Sequence, residues 1–386
     1  MYRFSKGIRR PMLPFIDLAA QQSRLRDRID AAIGEVLDGG AYILGPAVGQ
    51  FEQELAAFCG AGHAVSCANG TDALLLALMA LEVKAGDAVF VPSFTFAATA
   101  EIVPCLGAVP YFVDIDPTTF NMDPESLKRC IEKAARDGMP LKAIIPVDLF
   151  GLPADMNAIE SIARENGMAI VCDTAQGFGG RYHGRIAGAM GDLATTSFFP
   201  AKPLGCYGDG GALTTSDDKL ADRLRSLRNH GAGSDKYDNI HIGMNSRLDS
   251  IQAAILSVKL SVFEEEIEKR QEIAARYAER LAETVTVPTV PDGLTSTWAQ
   301  YTVRLPDGAD RPGVQASLRD AGVPTAIYYP IPLHQQTAYR HWPHDPAGMV
   351  ATDEAAQSVL ALPMHPYLEA ADQDRIADAL KGALAA

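Results

Sequence analysis

The chain has 386 residues, is 47% hydrophobic and 21% charged, and carries a formal net charge of −14. These are ordinary globular values, which exclude a disordered or collagen-like chain. The length predicts two or three domains with a core that needs no disulfide or metal staple. The acidic surface excludes non-specific attraction to nucleic acid or anionic lipid, so an anionic substrate must meet a local basic pocket.

The N-terminal stretch MYRFSKGIRRPMLPFIDL is basic. Its apolar part is too short for a signal-peptide core and is broken by Pro11 and Pro14. No apolar run reaches the roughly 18 residues that a membrane span needs, so the expectation is a cytoplasmic protein with no membrane partner. The six cysteines form no Cys-x-x-Cys pair, and Cys67 and Cys172 sit in apolar runs. That pattern predicts buried thiols in a reducing compartment and no metal site.

From about Ser23 to Gly231, short apolar runs alternate with helical patterns. Strands are predicted for HAVSCA, DAVFVP, VPYFVD, KAIIPV, MAIVCD, LATTSFF and GALTT. Helices are predicted over Thr71 to Leu81, Pro124 to Ala135, Asp155 to Glu165 and Asp218 to Arg228. Asp123-Pro124 places a cap residue before a proline in the first turn. This alternation implies crossover units and a mainly parallel α/β sheet covered on both faces. From Arg247 onward, a stretch of more than 30 residues rich in helix formers predicts a kinked connecting helix. Beyond it, WAQYTVRL and PTAIYYP read as strands, Pro312 to Asp320 as a helix, and further helices lie near Asp353 and at the C-terminus. The expected organisation is an arm at 1–14, a large domain at 15–250, and a connecting helix with a smaller α+β domain at 251–386.

Three features carry chemistry. Asn69-Gly70-Thr71-Asp72 lies where a strand gives way to a helix, and a helix N-terminus suits a phosphate. Asp173 ends a buried strand, the edge at which open α/β sheets bind ligands, and Gln176 follows at i+3. Lys202 lies in SFFPAKPLG with Ser197, in a largely apolar loop where a lysine can acquire a depressed pKa and Schiff-base reactivity. Lys202 stands 29 residues after Asp173, room for one excursion between neighbouring strands. Read singly, each is equally a capped turn or a solvated loop residue. Together they are what pyridoxal 5′-phosphate requires: an acid for the ring nitrogen, an amine for the aldehyde and a phosphate cradle.

The segments YILGPAVGQFE, NGTDAL, PSFTFAATAE, DTAQGFGG, TSFFPAKPLGCYGDGGAL, GMNSRLDSIQAAIL and LPMHPYL resemble the DegT/DnrJ/StrS-type sugar aminotransferases, fold-type I enzymes that use pyridoxal 5′-phosphate. The resemblance spans Phe15 to Leu368. It implies that Lys202 carries the cofactor aldehyde and moves protons, and that Asp173 keeps the ring nitrogen protonated. Phe96 would stack on the ring, Gly70, Thr71 and Ser197 would hold the phosphate, and Gln176 would contact the ring hydroxyl. Asn245 would reach the phosphate, and Arg247 a substrate carboxylate, across the interface of a homodimer with shared sites. Tyr329 and His334 are candidates for lining the sugar pocket, and His230 for the cofactor rim.

Related dehydratases carry His where this chain has Lys202, so the lysine favours transamination. The implied reaction moves the amino group of L-glutamate to a keto nucleotide sugar. UDP-2-acetamido-2-deoxy-3-oxo-D-glucuronate is the expected acceptor, in cell-surface polysaccharide biosynthesis such as O-antigen. The alternatives are a dTDP- or UDP-linked 3-keto or 4-keto hexose and, in a different class, a non-catalytic regulator on the same fold. Asp114, Asp116, Thr118 and Glu125 match part of a calcium-loop register, but Thr119 stands where that loop needs glycine.

Overall fold

The computed structural model describes residues 11–235 and 237–385; the first ten residues of the expected arm lie outside the described residues. The strands are β1 (His63–Cys67), β2 (Ala88–Pro92), β3 (Val109–Val113), β4 (Leu141–Ile144), β5 (Ala169–Asp173), β6 (Arg181–Tyr182), β7 (Arg185–Ile186), β8 (Leu193–Ser197), β9 (Gly211–Thr215), β10 (Leu294–Thr295), β11 (Tyr301–Arg304) and β12 (Val359–Leu362). The helices are α1 (Leu18–Gly39), α2 (Pro46–Cys59), α3 (Gly70–Ala80), α4 (Ala98–Cys105), α5 (Pro124–Arg136), α6 (Met156–Asn166), α7 (Asp218–Leu227), α8 (Ser250–Leu260), α9 (Phe263–Leu281), α10 (Arg311–Asp320), α11 (Val350–Ser358) and α12 (Ala370–Ala385).

Seven strands form one sheet in the order β1-β9-β8-β5-β4-β2-β3. β8, β5, β4, β2 and β3 run parallel, whereas β9 runs antiparallel to both β8 and β1. The expected mainly parallel sheet is therefore present, with β9 reversed. Its strands read as unbroken apolar runs because helices cover both faces. α3 and α4 supply one apolar layer and α5 and α6 the other.

Helix starts follow cap chemistry. Asp123 Oδ1 and Oδ2 accept from the amides of Glu125 and Ser126, ahead of Pro124 in the first turn. Asp217 accepts from the amides of Lys219 and Leu220 and starts α7. The carboxylates that suggested calcium are consumed in the same way. Asp116 caps a turn through the amides of Thr118 and Thr119, and Asp114 accepts from those of Ala351 and Thr352.

Two expectations change in the C-terminal part. The long connecting helix is two helices, α8 and α9, parted at Ser261 and Val262. The break follows their partners: α8 packs on α1 and α2, whereas α9 packs on α12. PTAIYYP is not a strand. Only Ala326 pairs with its neighbour Ala361, exchanging bonds of 3.2 and 2.8 Å. Pro324, Pro330 and Pro332 have no N–H to extend a ladder. The partner of β11 is instead β12, an apolar run after α11. β11, β12, α9, α10 and α12 share their own core around Tyr277, Tyr301 and Leu318. Leu13 leans on that core, its amide donating to Gly322 at 3.0 Å.

Candidate active site

The carboxyl ends of β5 and β8 and the start of α3 meet at one edge of the sheet. β5 delivers Asp173 and β8 delivers Ser197, both at strand ends. β1 leads into Asn69, whose Oδ1 caps α3 by accepting from the amide of Asp72 at 2.8 Å. The first-turn amides at Gly70 and Thr71 then have no carbonyl of their own helix to bind. Gly70 lies so close to β8 that a Cβ there would stand 2.7 Å from Ser197 Cβ. A side chain at Gly211 would strike the Asn69 carbonyl. These two glycines let β9, β8 and α3 close around the helix N-terminus.

Asp173 is buried. Its Oδ2 accepts from Thr99 Oγ1 at 2.8 Å and its Oδ1 from the Ala175 amide at 3.1 Å. Burial pushes its pKa above the ordinary carboxylate value, while Thr99, Ala175 and the charge of Lys202 pull it back. Lys202 is partly covered, and desolvation lowers its pKa against the attraction of Asp173. Its Nζ makes no hydrogen bond or ion pair to any described residue; the charge that it senses is Asp173. A free, desolvated amine facing a carboxylate is the condition for a nucleophile near neutral pH.

Gln176 sits over the same edge. Its Oε1 accepts from the Phe150 amide at 2.7 Å and its Nε2 donates to Tyr329 Oη at 3.1 Å. Tyr329 therefore borders the Asp173 edge. Phe96 is 57% exposed, which leaves a ring face open to a flat ligand. His334 is tied down elsewhere: Nδ1 lies 2.8 Å from Ser93 Oγ and Nε2 3.2 Å from Asp353 Oδ1.

Asn245 is exposed, and the half-buried Arg247 donates to Asn229 Oδ1 at 3.1 Å. Between them Ser246 accepts from the Ala68 amide and donates to Asp72 Oδ2 at 2.6 Å. The Asn245 to Arg247 segment thus borders the start of α3 in its own chain. His230 is exposed, and its amide donates to Met244 O at 2.9 Å beside the same segment.

Three residues escaped the sequence reading. Thr99 is one; an alcohol four residues after Thr95 in FTFAATA was the available sign. Asp148 is another, one residue beyond Val147, which bridges to Asp173. It is buried, with Oδ2 unpartnered and its pKa pushed up to about 7 by burial. Its position after KAIIPV, at the same strand edge as Asp173, was the signal. Lys259 is the third; buried in α8, its Nζ donates to Gly205 O at 2.6 Å beneath the Lys202 loop.

The residues present fit pyridoxal 5′-phosphate: a buried carboxylate, a desolvated amine, and a helix start left without a side chain at Gly70. A doubly covered, mainly parallel sheet with this chemistry at its carboxyl edge is the architecture of fold-type I transferases dependent on that cofactor. The model of the DegT/DnrJ/EryC1/StrS aminotransferase family matches residues 23–381, and the chain belongs to that family. It is 50% identical over 370 residues to the UDP-2-acetamido-2-deoxy-3-oxo-D-glucuronate aminotransferase of Pseudomonas aeruginosa, spanning 96% of this chain and 99% of that protein. A family aminotransferase of known crystal structure from Brucella abortus is 50% identical, with a TM-score of 0.95 over 97% of this chain and 100% of its own. The Streptomyces venezuelae protein DesV, solved with a ketimine intermediate, is 39% identical with a TM-score of 0.91, over 97% of this chain and 98% of its own.

Proposed function

We propose that this enzyme transfers the amino group of L-glutamate to C3 of UDP-2-acetamido-2-deoxy-3-oxo-D-glucuronate. The 50% identity to the Pseudomonas protein of that activity, along nearly the whole of both chains, carries the choice of acceptor. The setting is cytoplasmic synthesis of a surface polysaccharide such as O-antigen. Among the described residues no helix is long and apolar enough to cross a membrane.

Bound pyridoxal 5′-phosphate supplies an aldehyde for amine exchange and a ring that accepts electrons. Asp173 would hold its ring nitrogen, Gln176 its hydroxyl, Phe96 its face, and Gly70, Thr71 and Ser197 its phosphate. Lys202 does the proton work. Desolvation keeps part of its amine neutral, so Nζ can take a proton from the donor Cα and return it one atom away. The two hydrogen-bond donors to Asp173 oppose the effect of burial and favour its charged form, which would stabilise positive charge opposite it. Asn245 and Arg247 complete the site across the interface of a homodimer, with the Arg247 fork binding a carboxylate. Tyr329 and His334 belong to the sugar side. A 15–250 large domain and a 251–386 C-terminal unit remain the working division, although α8 packs with the former.

The test is the visible spectrum of the cofactor-loaded enzyme titrated with the expected product, the UDP-linked 2-acetamido-3-amino-glucuronate. Loss of the yellow colour, with a 3-keto sugar nucleotide in the mass spectrum, supports the assignment. An unchanged spectrum, with L-glutamate still bleaching the cofactor, rejects the uronate and redirects the search to neutral 3-keto and 4-keto hexoses.

A further inference from the structure

On the basis of that function, we propose that Thr99, itself oriented by Thr95, is a positioning residue that holds Asp173 ionised and correctly turned toward the cofactor ring nitrogen. Thr99 stands in the first turn of α4 and donates from Oγ1 to Asp173 Oδ2 at 2.8 Å. A hydroxyl has one proton to give. Once that proton is spent on the carboxylate, Thr99 Oγ1 can only accept from Thr95 Oγ1, which lies 3.2 Å away. The direction of the chain is therefore set: Thr95 donates to Thr99, and Thr99 donates to Asp173. Water does not compete well, because Thr95 is 2% and Thr99 0% exposed.

The loop that carries Thr95 is clamped at its head. Ser93 O accepts from the Leu333 amide at 3.0 Å, and Ser93 Oγ accepts from the His334 amide at 3.1 Å. That anchoring gives His334 a structural link to the acid side of the site, although its ring is tied to Ser93 and Asp353.

Charge makes the hydrogen bond matter. Burial drives Asp173 toward its neutral form, and Thr99 is the largest influence in the opposite direction, ahead of the Ala175 amide and Lys202. The other titratable groups that face Asp173 are Asp148, which repels it when ionised, and Tyr329, whose hydroxyl is held neutral by burial. A hydrogen bond that favours the charged form lowers a carboxyl pKa. Its removal moves Asp173 toward the acid form, which cannot hold a protonated ring nitrogen by charge.

Thr99→Val keeps the shape and removes the hydroxyl. The acid limb of the kcat/KM profile should move up by about one pH unit. The dissociation constant of pyridoxal 5′-phosphate from the apoenzyme, measured by equilibrium dialysis, should rise about tenfold, the equivalent of that shift. Thr99→Ser should restore both, and Thr95→Val should move both the same way by about threefold. A folded T99V with the wild-type acid limb and wild-type cofactor affinity overturns the proposal. If T99V does not fold, T99A takes its place, and wild-type values of both quantities in that variant overturn the proposal equally. A wild-type apoenzyme that bound no pyridoxal 5′-phosphate would instead sink the function on which the proposal stands.

Discussion

Lys202 and Lys259 are both cations taken out of water around one loop, and the protein treats them in opposite ways. Lys259 is fully buried yet satisfied: Nζ donates to Gly205 O at 2.6 Å and lies 4.2 Å from the centre of the Tyr207 ring. Lys202 is less covered, but its Nζ has no acceptor among the described residues and feels the charge of Asp173. The carboxylates repeat the contrast. Asp173 receives two donors, whereas Asp148, just past the end of the adjacent strand, has one oxygen bonded to the Ala154 amide and the other bare. Burial alone therefore does not mark a reactive group. What separates the site from the layer beneath it is which groups are left free to meet a ligand and which are neutralised or tied.

The contrast predicts unequal losses. On the proposed function, Lys202→Ala should lower kcat by about 10⁴-fold, because it would remove both the attacking amine and the proton carrier. Single-turnover assays with L-glutamate would measure this, and a loss under tenfold would erase the distinction between the two lysines. Asp173→Asn should come next, at about 10²-fold to 10³-fold in kcat/KM, the scale for losing one preorganised electrostatic contact.

Asp148→Asn probes the layer beneath through stability. In the unfolded chain the Asp148 carboxyl ionises near its ordinary value, but in the folded protein it stays neutral up to about pH 7. Its folded pKa is raised, so its contribution to stability is intact at low pH and is lost as pH rises from about 4 to about 7. The full displacement is worth about 4 kcal/mol, which a buried, unpaired amide would offset by about 2 kcal/mol. Denaturant melts should show D148N gaining about 2 kcal/mol over wild type at pH 8 and nothing near pH 5. A constant difference across that range would mean that Asp148 is not held neutral. The smallest effect belongs to Lys259→Met. The Gly205 carbonyl loses its donor, but a buried charge is also removed, for a net loss of about 1 kcal/mol. Its kcat should change less than about threefold, since Lys259 touches neither Asp173 nor the ligand edge.

Much of this was readable in one dimension because the large domain is built from local signals. Seven apolar runs became the seven sheet strands, and caps at Asp123 and Asp217 marked helix starts within a residue. The parts that misled are those where partners far along the chain decide. PTAIYYP is apolar enough for a strand, but its prolines and the reach of Tyr329 to Gln176 hold it irregular. The α8 and α9 stretch has continuous helical character, yet its two halves bury themselves against different neighbours.

The sequence by itself determined the α/β class and the family, and it marked Asn69 to Thr71, Asp173 and Lys202 as candidates, because each lies in a contiguous motif beside a strand end. Only the tertiary structure decided the reversed direction of β9, the Thr95 to Thr99 to Asp173 chain, and the unequal partnering of the buried lysines and aspartates. Most of those depend on contacts between residues tens of positions apart. A hydrogen bond of about 3 Å between such residues is set by how the layers pack, not by their spacing in the chain.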